Sequence, residues 1–263
     1  MLRAAGLQLD SAWEDPSASF GRAERLLAQA AGQGVRLAVL PEMFATGFSM
    51  RAEGLLSMAP VIRAFLSEAA RRHGRWLCAG VVLSGAQRPR NAALIVDPDG
   101  AERLRYDKLH PFSLAGEPEH YESGDRLGTV TIEGLRVTPL ICYDLRFPEP
   151  FRLRASETDA FLVIASWPAA RREHWRVLLR ARAIENQAYV LGVNRVGDAD
   201  GQYHAGDSML IDPLGEVLAA AADQEAVLAG DLDAQKVADL RQRFSFLADR
   251  RPSVYDALQT DGR

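Results

Sequence analysis

Short apolar runs alternating with longer stretches of helical periodicity constrain this chain more than any other feature. The runs 2–9, 36–40, 76–83, 92–96, 129–132, 136–141, 160–166, 188–194, 206–211 and 226–231 have strand length, and several are continuously apolar and β-branched. Between them lie segments with helical punctuation. Asp15 with Pro16 opens one that closes near Gly32, and Pro60 opens a second, with Val61, Ile62, Phe65, Leu66 and Ala69 on one stripe, that ends at Gly74. Pro168 opens a third reaching Asn186, and a fourth follows Asp233, with Val237, Leu240 and Phe244 at helical spacing. Buried strands alternating with helices predict an α/β protein with helices stacked on sheet. No composition shift marks a linker, so one domain spanning 1–263 is expected. The loop richest in Gly, Pro, Ser and acidic residues is FSLAGEPEHYESGDRLG, 112–128, and a connection of that length inside a compact domain is often functional. The Ala-rich tract 219–222 reads as a turn or helix end.

Charge and cysteine usage narrow the partners. The formal net charge is −4 with no basic block, which gives no footprint for nucleic acid. No apolar stretch approaches the roughly 18 residues of a membrane helix, so a small-molecule partner and a cytoplasmic location are expected. The two cysteines, Cys78 and Cys142, stand 64 residues apart and outside any zinc-ligand spacing. Cys78, in WLCAGVVL, reads as a small buried hydrophobe.

Cys142 is placed differently. In PLICYDLRFPEP it ends an apolar run, and Phe147-Pro148-Glu149-Pro150 begins a helical segment. A thiol at such a strand end meets helical N–H groups, which favour the thiolate, and the N–H of Tyr143 can face an oxyanion. The alternative is an inert residue closing a buried strand. A nucleophile needs a base, and none of the five histidines carries the flanking pattern of a Cys/His protease. Glu42, after the strand LAVL and beside Met43, Phe44 and Phe48, is a better proton acceptor, and Lys108 in RYDKLHPF is a cation in apolar company. Taken singly, each also reads as an ordinary loop carboxylate or a snorkelling lysine.

Taken together, PE at 41–42, DKLH at 107–110 and ICYD at 141–144 resemble the nitrilase, or carbon-nitrogen hydrolase, superfamily. So do AGLQLD, the GE and YESGD loop, ASWP, RARAIENQAYVLGVNRVG and GDSMLIDPLGEVL, and the resemblance spans nearly the whole chain. PEMFATGFSM, KLHPFSLAGEPEHYESG and CYDLRFPE are most similar to the omega-amidases, which hydrolyse the side-chain amide of 2-oxo acids such as 2-oxoglutaramate and 2-oxosuccinamate. The resemblance implies a four-layer α-β-β-α sandwich and a triad of Glu42 as general base, Lys108 as cationic stabiliser and Cys142 as nucleophile. It also implies a second glutamate in the loop after the lysine, matched to Glu122, with Glu117 and Glu119 close by. Assembly as homodimers across the helices after the nucleophile follows from it too, here through Trp175, Leu178 and Leu179.

The chemistry of the residue types agrees with an acyl thioester route that requires no metal or organic cofactor. Phe44, Phe48, Tyr121 and Trp167 are candidates to line the substrate pocket, although such aromatics also serve as core. Arg146, four residues past Cys142, is a candidate for holding a substrate carboxylate, or else pairs with Asp144 or Glu149. A nitrilase, carbamoylase or acyltransferase would use the same triad, and a non-catalytic binding protein on this scaffold is the remaining alternative. Cys142→Ala should abolish ammonia release from amides while Cys78→Ala leaves it largely intact; activity loss that tracks alkylation of Cys78 would reverse the assignment.

Overall fold

The computed structural model describes residues 1–260. Along the chain run β1 (Leu2–Gln8), α1 (Pro16–Gly32), β2 (Leu37–Val39), α2 (Ala52–His73), β3 (Trp76–Leu83), β4 (Arg90–Val96) and β5 (Glu102–Asp107). A short helix α3 (Glu117–His120) sits in the long loop, followed by β6 (Val130–Ile132), β7 (Leu135–Ile141), α4 (Pro148–Arg154), β8 (Ala160–Ala165) and α5 (Arg172–Asn186). Then come β9 (Tyr189–Asn194), the hairpin β10 (Val196–Ala199) and β11 (Gln202–Ala205), β12 (Ser208–Ile211), β13 (Val217–Ala221), β14 (Ala226–Leu232), α6 (Ala234–Arg243) and α7 (Pro252–Thr260).

Two six-stranded mixed sheets result, in the orders β14-β1-β2-β3-β4-β5 and β13-β12-β9-β8-β7-β6. In each, three successive strands run parallel, β1-β2-β3 and β7-β8-β9, and the flanking pairs are antiparallel. The period of two along β1 shows how the layers form. Ala4 joins the core shared with the second sheet, while Ala5 and Leu7 join the core under α1 and α2 with Leu27, Ile62 and Leu66. On the far side Phe151, Trp175, Leu179, Ala183 and Val237 from α4, α5 and α6 cover the second sheet. The architecture is therefore helix, sheet, sheet, helix, as the resemblance implied. Cys78 lies wholly buried between the sheets, and burial pushes its thiol up to about 12.

The differences from the sequence reading have local causes. α2 begins at Ala52, and Pro60 lies inside it, because Leu55, Leu56, Met58 and Ala59 extend the buried stripe toward the N-terminus. β5 carries Arg103 and Arg105 on an edge, where charged side chains reach water and blunt further pairing, so it lacks an apolar signature. The Ala tract is strand β13, paired with β12; alanine packs there although it has little strand preference of its own. The hairpin β10-β11 turns on Asp200 and Gly201, both at positive φ, the Asp-Gly signature of a two-residue turn. On α5, Trp175 and Leu179 are fully buried in the chain's own core, so the outward apolar side chains are Val177 and Ile184 there and Leu153 on α4.

Candidate active site

Three parallel strands end at one place, and each leads into a tight corner. β2 runs into Leu40, Pro41 and Glu42, and the following Met43 takes φ +44°, a left-handed conformation that a side-chain-bearing residue adopts only when its surroundings enforce it. The enforcement comes from Gly80 of β3, whose N–H donates to Pro41 O and whose C=O accepts from Phe44 N. A Cβ on Gly80 would lie 2.4 Å from Met43 N, so only glycine lets the Glu42 corner settle on β3. β7 ends at Cys142, also left-handed at φ +45°. There the buried carboxylate of Asp144 accepts from Ile141 N at 3.0 Å, from the Tyr106 hydroxyl at 2.7 Å, and from both His110 N and His110 Nδ1. Asp144 thus locks the Cys142 turn and ties it to the segment bearing Lys108. β8 ends at Ser166 and Trp167, whose peptide is fixed by Asn194 at the end of β9 through bonds to Trp167 N and Trp167 O.

The charged groups meet between these corners. Lys108 Nζ donates to Glu42 Oε1 at 2.9 Å and to Glu117 Oε2 at 2.8 Å, and all three side chains are buried. Asn91 Nδ2 donates to Glu42 Oε1 at 2.7 Å and to Glu117 Oε1 at 3.0 Å, while Ser166 N donates to Glu42 Oε2 at 2.8 Å. Burial opposes charge on Lys108, but the carboxylates of Glu117 and Glu42 outweigh it and hold the ammonium above its ordinary range. Burial, reinforced by the Glu42 carboxylate, pushes the Cys142 thiol well above its ordinary value, and Lys108 and the Ser166 N–H only partly offset that. The resting thiol is therefore neutral, contrary to the thiolate expected from helical N–H groups. Cys142 opens a five-residue 3-10 turn with little dipole, and the full charges acting on it include two carboxylates, Glu42 and Glu117.

A cavity of about 410 Å³ opens on Cys142, lined among others by Phe48, Tyr143, Arg146, Ser166, Trp167 and His204. Of the residues expected from sequence, the structure brings Glu42, Lys108, Cys142, Tyr143, Arg146 and Trp167 to this place. Phe44 is not among the lining residues: it is fully buried beneath α1 and α2, with ring centroids 6.3 Å from Phe20 and 6.0 Å from Phe65. Tyr121 does not line the cavity either; its buried hydroxyl donates to Ser49 O at 2.6 Å and so braces the loop carrying Phe48.

The second glutamate needs a larger correction. Glu122 accepts from Ala86 N, from Gln87 N and from Arg90 Nε at 2.9 Å, so it clamps the β3-β4 turn and does not reach Lys108. Glu117 stands beside Lys108 instead, and its carboxylate also accepts from Phe112 N, which folds the long loop back onto it. Arg146 pairs with neither Asp144 nor Glu149: its guanidinium lies 4.8 Å from the Trp167 ring centroid, with Nη2 3.3 Å from His174 Nδ1. Asn91, Asp144 and Ser166 were missed. The signals available were an amide opening the apolar run 92–96 and a carboxylate two residues after Cys142, and neither is distinctive alone.

Paired strained corners, a buried Glu-Lys-Glu cluster and a cysteine at a cavity define a thiol-dependent hydrolase type of site. The carbon-nitrogen hydrolase family model matches residues 3–242, and the chain belongs to that family. It is 43% identical over 241 residues to the omega-amidase YafV of Yersinia enterocolitica, covering 90% of this chain and 92% of that protein. It is 37% identical to the 2-oxoglutaramate amidase of Paenarthrobacter nicotinovorans, covering 84% and 80%. Among solved structures, a CN-hydrolase superfamily protein of Xanthomonas campestris superposes with a TM-score of 0.89 at 36% identity, over 95% of this chain and 97% of that one.

Replacing Glu117 by Gln should lower kcat by at least tenfold, because the neutral amide removes half the countercharge of Lys108, whereas Glu122→Gln should act mainly on stability. Steady-state kinetics beside a thermal melt separate the two; equal kcat losses would put Glu122 back in the reaction.

Proposed function

We propose that the chain is a single catalytic unit that hydrolyses small carboxylate-bearing amides, as omega-amidases do, with release of ammonia. The observation that carries this reading is one cavity that opens on Cys142, with the buried Glu42–Lys108–Glu117 cluster acting on that thiol from beneath and, on the cavity wall, two arginines that face no carboxylate among the described residues. These are Arg146 over Trp167 and Arg171, whose guanidinium lies 5.5 Å from the Phe112 ring centroid.

The geometry supports the following sequence. Cys142 Sγ attacks the amide carbon while its proton passes to Glu42, so the thiol need not ionise beforehand. The carbonyl oxygen, now negative, meets Lys108 Nζ and the N–H of Tyr143, which sits in the first turn of the 3-10 segment where N–H groups lack an intrahelical acceptor. Glu42 returns the proton to nitrogen, the C–N bond breaks and ammonia leaves, with a thioester on Cys142. Water attacks the thioester, giving its proton to Glu42; the C–S bond breaks with the electron pair going to sulfur, and Glu42 protonates the departing thiolate to restore the thiol. Glu117 keeps Lys108 charged and in place throughout. Removing one partner of a buried ion pair typically costs about 3–5 kcal/mol, so the cluster also supports the fold.

An anionic substrate follows from the arginines. A bidentate charge-assisted contact contributes about 1.5–3 kcal/mol, roughly a 10- to 150-fold preference over a matched neutral amide. Arg146→Met should cut kcat/KM for 2-oxoglutaramate or 2-oxosuccinamate by that factor and barely change hexanamide; equal losses on both would make Arg146 structural.

A homodimer belongs to the same proposal. Leu153 on α4 is 69% exposed and Val177 on α5 61% exposed, and they accompany the half-buried Leu178 on the outer layer. Sedimentation at micromolar concentration should report about twice 28.8 kDa, and a 28.8 kDa species would contradict the assembly. None of the described helices is long and apolar enough to cross a membrane, and the proposed location is the cytoplasm.

A further inference from the structure

The hairpin β10-β11 carries a histidine into the cavity that the reaction above does not use. His204 is 5% exposed and lines the cavity with Ser166 and Cys142. Its Nδ1 lies 3.1 Å from Gln202 O, and a carbonyl oxygen only accepts, so Nδ1 carries the ring proton and Nε2 presents a lone pair. Burial first, and then the positive charge of Arg195 nearby, lower the imidazole to about 4, which keeps it neutral through the range in which a cysteine hydrolase works. The group facing Nε2 is Ser166 Oγ, at 3.4 Å. With Nε2 able only to accept, the Ser166 hydroxyl is the donor and its own lone pairs are left for whatever occupies the cavity. The same serine donates its backbone N–H to Glu42 Oε2 at 2.8 Å, so its position is fixed relative to the proton carrier.

We propose that His204 is a positioning residue that turns Ser166 Oγ into a hydrogen-bond acceptor for the scissile nitrogen, and that this pair makes the site favour primary amides over esters and nitriles of the same acid. The inference rests on the amidohydrolase reading above. A primary amide offers N–H groups to an acceptor; an ester oxygen or a nitrile nitrogen offers only lone pairs and meets repulsion. In the tetrahedral intermediate the contact does more. Holding one N–H on Ser166 Oγ turns the nitrogen lone pair toward Glu42, from which it must take a proton before ammonia can leave. Without His204 the hydroxyl is free to rotate and to donate, which removes the discrimination while leaving Cys142, Glu42 and Lys108 where they are.

The test compares kcat/KM for succinamate and monomethyl succinate, which share an acyl group and hence a thioester, in the wild type, His204→Phe, Ser166→Ala and the double variant. One neutral hydrogen bond corresponds to about a 3- to 10-fold effect, so the amide-to-ester ratio should fall by that factor in each single variant. The double variant should fall no further, because both changes remove one contact. His204→Gln, which can again accept from the serine, should recover part of the ratio. Ser166→Ala, a deletion of one oxygen, keeps the test available if His204→Phe disturbs the hairpin. An unchanged ratio in either single variant, or losses that multiply in the double variant, would overturn the proposal. Failure of the wild type to release ammonia from succinamate, or release that survives Cys142→Ala, would instead overturn the amidohydrolase reading, and this inference with it.

Discussion

A single ammonium held between two carboxylates, all withheld from water, is the interaction on which the rest of this molecule is arranged. Lys108 with Glu42 and Glu117 leaves one formal negative charge in the interior, and a burial of that kind is tolerable only if every oxygen finds a donor. The chain supplies them from four separate segments: Lys108 itself, Asn91 of β4, the Ser166 N–H after β8 and the Phe112 N–H of the long loop. The requirement to satisfy the cluster therefore also dictates where two sheets and a loop must meet. It explains the neutral cysteine as well, since a thiolate beside an uncompensated negative charge would add to the desolvation already present.

The two-sheet frame makes that meeting possible. Glu42 and Lys108 hang from the first sheet and Cys142 and Ser166 from the second, and the pattern of parallel and antiparallel pairs read from β14 in the first sheet recurs in the second when that sheet is read from β6. Parallel strands β1-β2-β3 and β7-β8-β9 deliver their carboxyl ends to corners, which is where irregular backbone can carry functional groups. Both reactive corners pass through left-handed residues, Met43 and Cys142, and each is enforced by a neighbour: the missing side chain of Gly80 in one case and the carboxylate of Asp144 in the other.

Much of this was legible in the sequence, and the omissions share a cause. Strands buried on both faces announce themselves as apolar runs, so β1, β3, β7, β8 and β9 were placed within a residue or two. Elements stabilised by something other than their own composition were not. β5 is a charged edge and β13 is built of alanine, and both depend on a neighbouring strand. The triad was readable because each member stands in an unusual local setting. Glu117 was not separable from Glu119 and Glu122, because three acids within six residues differ only in how the loop folds, and that fold is decided by bonds to Phe112 N and Lys108 that follow no helix or strand periodicity. Phe44 and Tyr121 failed for the converse reason: an aromatic next to a reactive residue in sequence can point into the core behind it.

The protonated state of Cys142 at rest bears on durability. Peroxides and alkylating agents react with thiolates, and a half-buried thiol whose ionisation is opposed by a neighbouring carboxylate offers them little of that form. Cys78, between the sheets, is likewise kept as a thiol by burial. The chain thus exposes its nucleophile to chemical damage mainly during the brief interval in which a bound acyl group is already there to consume it, so inactivation by oxidants should be governed by opportunity within the catalytic cycle rather than by time spent idle.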